Sequence, residues 1–262
     1  MSVETRVFPM RFSADVAAMV RFLEVLGLRV VLAGDNGTYA ALEGATGSVA
    51  VHATETAAPA AGSGLTSLNV LVPDVDAAAG DLTAAGRDAT VWDEAYGRQG
   101  AVRAPNRLAV GLNEAAQADL YGYRGREEPV VPAPVDVLAV WYSDDFRGDA
   151  AFFADLGFHP EGSLDDPWWC ALRGAGPAGV VGLHGTGGAT ADAAPEAASE
   201  WLEHPALVRL GFETAEPLDA LATRLRDAGY GSAAVVADEA GPKVVVTDPD
   251  GQSLEIHPRP AG

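Results

Sequence analysis

The stretch Thr247-Asp248-Pro249-Asp250-Gly251-Gln252-Ser253-Leu254-Glu255-Ile256-His257 reads as the end of one strand, a tight turn and a return strand. Lys243 to Thr247 is rich in β-branched residues, as strands are. In Asp248-Pro249-Asp250-Gly251, Pro249 pre-sets φ for the first corner and Gly251 takes the φ > 0 position that closes a hairpin. On the return strand Leu254 and Ile256 point one way, so Ser253, Glu255 and His257 point the other. Two ionisable side chains on one face of a short strand predict a wet or ligand-filled concavity on that side.

The same unit recurs along the chain, and a repeat decides a fold more firmly than any single element. Helix-like stretches run from Ala14 to Leu26, Val75 to Ala85, Gly148 to Leu156 and Leu218 to Ala228, each stopped by a glycine at 27, 86, 157 or 229. Each follows a strand-like run: Arg6 to Phe12, Ser67 to Val72, Val137 to Tyr142 and Val208 to Phe212. Ser13 and Asp74 suit N-caps, and Pro217 suits a first helical turn. At a near-constant interval after each glycine comes one pattern, apolar-variable-apolar and then His or Asn: Val49 to His52, Val110 to Asn113, Val181 to His184 and Leu254 to His257. Four βαβββ modules follow, paired as residues 1–125 and 134–262. Residues 126–133, with Glu127, Glu128 and repeated prolines, read as an extended linker.

The turn with its x-x-Leu-Glu-Ile continuation, set in this order of paired βαβββ modules, resembles the vicinal oxygen chelate superfamily, which includes glyoxalases, bleomycin-resistance proteins and extradiol dioxygenases. The resemblance spans essentially the whole chain. It implies an α+β fold in which the two modules of a pair join their sheets as a half-open barrel around one pocket. It also implies, for metal-using members, ligands drawn from the first and fourth strands of both modules, with the glutamate matching Glu255 among them. At the matching fourth-strand positions this sequence has Ala50, Gly111 and Gly182. The first-strand matches are Ser67 and Arg209 in the second modules and Val7 and Val137 in the leading ones. That leaves one carboxylate facing an arginine, which cannot coordinate and whose charge opposes a cation, so no metal and no other cofactor is expected. Arg209 and Glu255 are expected to meet as an ion pair across the concave face of the second pair. A register slip of two residues would instead bring His52, His184 or His257 into play.

Ala, Gly and Ser at the ligand positions would empty the pocket floor for an organic molecule. The candidate ligand-binding residues are Arg209, Glu255, Trp141, Ser67, Trp92, Glu94 and Trp169, with Tyr96 and Trp168 as further aromatic walls. Trp141 is placed in the pocket because it precedes its helix by the spacing that places Arg11 in the first module, where an arginine is foreign to a core. The histidines at the fourth-strand ends read as structural hydrogen-bonders, since Asn113 fills the same slot and is a poor ligand.

The 262 residues carry a net charge of −20, which repels nucleic acid and anionic membranes and is compatible with cationic ligands. The lone Cys170 fits a reducing compartment. No apolar run is long enough to span a bilayer and no signal-peptide pattern opens the chain, so a cytoplasmic protein is expected. Fusion of two pairs in one chain predicts a monomer. Gly-rich phosphate loops, nucleophile elbows and Cys-His arrangements are missing. Together these features predict a metal-free binding protein of the bleomycin-resistance type, sequestering an aromatic or cationic compound as antibiotic-resistance proteins do. The alternative is an enzyme of the same superfamily, a glyoxalase-like lyase or isomerase or a dioxygenase, metal-dependent or using Glu255 as acid and base.

Overall fold

The structure is a computed structural model and describes residues 5–57, 61–94, 97–115, 122–125, 134–186 and 208–260. The expected linker 126–133 and Tyr96 lie outside the described residues. Module one comprises β1 (Arg6–Val7), β2 (Met10–Ser13), α1 (Val16–Leu26), β3 (Arg29–Gly34), β4 (Tyr39–Glu43) and β5 (Ser48–Ala53). Module two comprises β6 (Thr66–Ser67), β7 (Asn69–Leu71), α2 (Val75–Ala84), β8 (Ala89–Glu94), β9 (Gly97–Arg103) and β10 (Ala109–Asn113), and a short β11 (Tyr123–Gly125) follows. Module three has β12 (Val135–Ser143), α3 (Phe146–Asp155), β13 (His159–Pro160), β14 (Trp169–Arg173) and β15 (Val180–Gly185). Module four has β16 (Val208–Thr214), α4 (Leu218–Asp227), β17 (Ala234–Asp238), β18 (Gly241–Thr247) and β19 (Ser253–Pro258).

Modules three and four share one eight-stranded sheet in the order β13-β14-β15-β12-β16-β19-β18-β17, with the leading strands β12 and β16 antiparallel at the seam. The first two modules keep the same seam in two pieces. β1 pairs antiparallel with β7 and β2 with β6, because Pro9 interrupts the leading strand. Proline has no N–H to give the ladder, although its carbonyl still accepts from Ala50 N at 2.9 Å. All four helices stop where the sequence places their glycines: φ is +109°, +82°, +88° and +99° at Gly27, Gly86, Gly157 and Gly229. The caps differ in part from expectation. Asp15, Asp74 and Asp145 cap α1, α2 and α3 through their carboxylates, and Ser13 is buried one turn earlier, its Oγ accepting from Asp15 N and donating to Asp250.

One apolar core runs under the helices of both pairs and contains Val7 and Val137, both fully buried. These two valines are therefore not the concave-face counterparts of Glu255. Trp141 also belongs to this core, with no exposed surface. Its Nε1 donates to Asp149 Oδ2 at 3.0 Å, and Phe153 packs edge-on against the indole. Burial pushes the Asp149 carboxyl up, against the hydrogen bonds from Ser143 and Trp141 that lower it. The spacing argument linking Trp141 to Arg11 holds, since both pair across to equivalent residues of a parallel fourth strand, Leu183 and Val51. The inference drawn from Arg11 fails, because Arg11 is itself 2 % exposed.

Arg11 is buried because the closing turn of module four docks against it. Its Nη2 lies 2.5 Å from Asp248 Oδ2, and Nη1 donates to the Gly64 carbonyl. Asp248 Oδ1 accepts from its own turn at Asp250 N and Gln252 N, 3.0 and 2.8 Å away. Asp250 Oδ1 accepts from Ser13 Oγ, Ala14 N and Ser63 Oγ. Desolvation pushes Asp248 up and Arg11 down more than their mutual attraction restores. Such a pair is costly to break and cheap to replace as a whole. Arg11→Met or Asp248→Leu alone should lose roughly 3 to 5 kcal/mol in urea unfolding, whereas the double change should lie near wild type. Additive losses in the double variant would show that the two groups are not coupled.

Candidate functional site

Two concave faces are available, and they differ. On the second pair the strands present Val140 of β12, Gly182 of β15, Arg209 and Gly211 of β16 and Glu255 of β19, placed side by side by the ladder registers. A Cβ at Gly211 would lie 3.4 Å from Leu138 and 3.6 Å from Val140, which puts Leu138 and Val140 on this face and Trp141 on the other. Arg209 and Glu255 share the face, as expected, but the expected ion pair is not formed. The Arg209 guanidinium lies 5.4 Å from the centroid of the Tyr142 ring, a cation–π contact. Glu255 Oε2 is held by Lys243 Nζ at 3.0 Å and His257 Nε2 at 3.1 Å. Lys243, the only lysine of the sequence, is 7 % exposed and bridges to Asp238 at 2.8 Å. The expectation missed this because Lys243 sits on a strand that was read only for its β-branched neighbours.

Trp169 lies on the same face. A Cβ at Gly182 would fall 2.1 Å from its Cη2, so the indole lies on the glycine backbone. The Trp169 ring also meets His184 edge-on at 6.2 Å, and His184 meets Tyr142 at 4.9 Å. Trp168 beside it is 60 % exposed.

The first pair, by contrast, encloses a cavity of about 360 Å³. Its apolar lining includes Phe8, Met10, Leu32, Ala41 and Leu71, and its aromatic side is Tyr39, Tyr123 and His52. The two tyrosine centroids are 5.4 Å apart, and His52 meets Tyr39 edge-on at 6.1 Å. His52 Nδ1 lies 2.8 Å from the Ala53 carbonyl, as His184 Nδ1 does from that of Gly185. A carbonyl only accepts, so Nδ1 carries a proton in this contact, and in the uncharged form of the ring Nε2 is the acceptor. Module two contributes Arg98, Gln99, Asn113 and Glu114. Ser67 stands behind this wall, its Oγ accepting from Asn69 Nδ2 at 3.2 Å. Trp92 and Glu94 meet each other on edge strand β8, with Nε1 donating to Oε1 at 2.9 Å, and neither lines the cavity. Sequence reasoning noticed His52 and Asn113 as a recurring strand-end pair. It gave no weight to Tyr39, Tyr123 or Gln99, whose only signal is alternation on short strands.

Solved structures resemble the whole chain. A variant of 4-hydroxymandelate synthase from Streptomyces coelicolor superposes with a TM-score of 0.62 at 15 % identity, over 100 % of this chain and 95 % of that one. Homoprotocatechuate 2,3-dioxygenase from Arthrobacter globiformis gives 0.60 at 13 % identity, over 97 % and 78 %. The Mn(II)-bound glyoxalase from Novosphingobium aromaticivorans gives 0.57 at 16 % identity, over 97 % and 80 %. The chain has the fold of the vicinal oxygen chelate superfamily, as four paired βαβββ modules. No family model matches the sequence, and no curated protein is similar to it. No helix among the described residues is long and apolar enough to cross a membrane.

A divalent ion does not fit the residues present. Among Val140, Gly182, Arg209, Gly211 and Glu255, the residues aligned across this face, only Glu255 carries a donor that could bind a metal, and an ammonium and an imidazole already hold it. Among the described residues no three His, Cys, Asp or Glu side chains are grouped to hold a metal. The hydrogen bond from His257 and the charge of Lys243 hold the Glu255 carboxyl down to about 2. Because this lies below the ordinary 4.5, the stabilisation is complete above that pH and is lost as pH falls toward about 2. Half of the Glu255 side chain is exposed, so solvent screens the contribution. Glu255→Gln should be less stable than wild type near neutral pH in urea unfolding, and the gap should close in acid. A gap of constant size would show that Glu255 is not held in this way.

Proposed function

We propose that this protein binds a small organic molecule in the cavity of its first pair and does so without a metal. The observation that carries the proposal is the contrast between the pairs. The first encloses about 360 Å³ behind mostly apolar walls with a few convergent polar groups, the composition of a ligand site. The second has its concave face occupied by Trp169, Arg209 and the Lys243–Glu255 pair. The aromatic side of the cavity suits a planar ligand, which keeps the aromatic half of the sequence-based expectation. Its cationic half has weaker support, since Glu43, one of the two acids in the lining, already pairs with Arg6 and Arg29.

The solved structures favour a second reading, an enzyme of the same fold, since they include a synthase, dioxygenases and a glyoxalase. Glu255 is a poor choice of base for it, because a carboxylate held near 2 has little affinity for a proton at neutral pH. His52 is better placed, with its Nε2 acceptor on a ring that lines the cavity. On this reading it would take a proton from a bound substrate, and the tyrosines would orient the ring.

Two results decide between these readings and their rivals. Filling the cavity by Leu71→Trp or, separately, Met10→Trp should abolish the thermal shift given by planar aromatic compounds in a screen of the full chain. Retention of those shifts in both folded variants would place the ligand elsewhere. Purified protein should also carry less than about a tenth of an equivalent of Mn, Fe, Ni or Zn by elemental analysis, since a lone engaged carboxylate is a weak site. One equivalent of any of these would favour the metalloenzyme.

A further inference from the structure

We infer that the ligand of the first-pair cavity is an uncharged planar ring carrying an N–H and a C=O side by side, a lactam or cyclic amide. This inference rests on the binding reading above and adds the chemical class of the ligand.

The charges around the cavity are already matched within the protein. Glu43 meets Arg6 at 2.8 Å and Arg29 at 2.9 Å, one on each carboxylate oxygen. Arg98 meets Asp76 at 2.8 Å and Asp93 at 3.0 Å. Glu114 Oε1 accepts from Val75 N at 3.0 Å, where it faces the positive end of α2. A charged ligand entering this space would lose its hydration and meet only charged groups that already hold partners, which is the costly case.

Neutral hydrogen-bonding capacity remains open. Gln99 and Asn113 are directly opposite each other on β9 and β10, and both line the cavity. Asn113 Nδ2 donates to Asn69 Oδ1 at 3.4 Å, and Asn69 Nδ2 donates onward to Ser67 Oγ. That chain fixes the direction of the Asn113 amide and leaves its Oδ1 as an acceptor. Gly111 is what admits the chain, since a Cβ there would lie 1.9 Å from Asn69 Oδ1. The Gln99 amide has no side-chain partner among the described residues, so a donor and an acceptor stand together beside the Asn113 acceptor. A lactam edge satisfies a carboxamide at both atoms, and a ring lacking the N–H leaves one acceptor unpaired. Opposite this edge-reading wall, Tyr39, Tyr123 and His52 supply flat ring surface for the body of the ligand.

Isothermal titration of the full chain with four bicyclic probes of similar size tests the assignment: 2-quinolone, quinoline, N-methylquinolinium and 2-naphthoate. 2-Quinolone should bind about tenfold more tightly than each of the others, the effect of one unpaired hydrogen-bonding group. Gln99→Leu, at a partly exposed position, should reduce that advantage to less than about threefold. Equal or tighter binding of either ion, no detectable binding of 2-quinolone, or an advantage that survives Gln99→Leu would overturn the ligand class. The cavity reading is judged separately by repeating the titrations on Leu71→Trp and Met10→Trp. If a charged probe binds best and both variants abolish its binding, the cavity stands and the lactam class falls. If 2-quinolone binding survives both, the cavity reading itself falls.

Discussion

The association of the two pairs turns on a carboxylate buried inside a turn. Asp248 closes its own turn with one oxygen and meets Arg11 of the first module with the other, and neither side chain has more than 3 % of its surface exposed. A turn at the end of a sheet is ordinarily solvated. Here the turn is enclosed by β2, β6 and the segment before β6, and Gly64 leaves room for Gln252, which a Cβ would approach to 2.7 Å. The corresponding turn of module two reads Ala104-Pro105-Asn106-Arg107, with Arg107 at φ +72° in place of Gly251. Where Arg11 stands in module one, module three has Trp141, and Ala104 and Trp141 lie in the same apolar core. The Arg11–Asp248 contact adds little net stability, but it admits only a register that brings guanidinium and carboxylate together.

Much of the fold is legible in the sequence because its signals are local. A glycine after each helix and an Asp or Pro before it act within one turn, and four copies reinforce each other. The parity of the leading strands is not local. Val135 to Ser143 is buried on both faces for most of its length, so no alternation of polar and apolar residues says which of Trp141 and Tyr142 faces the ligand side. The structure gives that place to Tyr142, whose ring meets Arg209 and His184. The parity of β19 was readable for the opposite reason: Leu254 and Ile256 are buried while Glu255 is exposed.

Partner choice was the least legible feature of the site. Arg209 and Glu255 do share a face, but which cation takes the carboxylate depends on the neighbouring strand. Lys243 is one rung from Val245, which pairs with Glu255, and its ammonium reaches Glu255 and Asp238 together. Sequence spacing cannot rank two cations that approach from opposite sides of one strand. Nor could it show that the first pair holds a cavity, because that cavity is lined by residues of short strands spread over both modules.

The two pairs show how one architecture can present two different concave faces. Where small residues accumulate on the concave face, the outcome depends on what is long enough to fold back over them. In the second pair Gly182 lies within reach of Trp169, and the indole covers it. In the first, Gly111 lies within reach of Asn69, a side chain too short to close the space but able to accept a hydrogen bond from Asn113 and pass one on to Ser67. A large apolar side chain covers the backbone at Gly182 and offers no hydrogen-bonding wall there. A carboxamide keeps unspent donors and acceptors, so the wall of the first face that carries Asn113 stays polar, a difference in chemistry that arises at equivalent glycines.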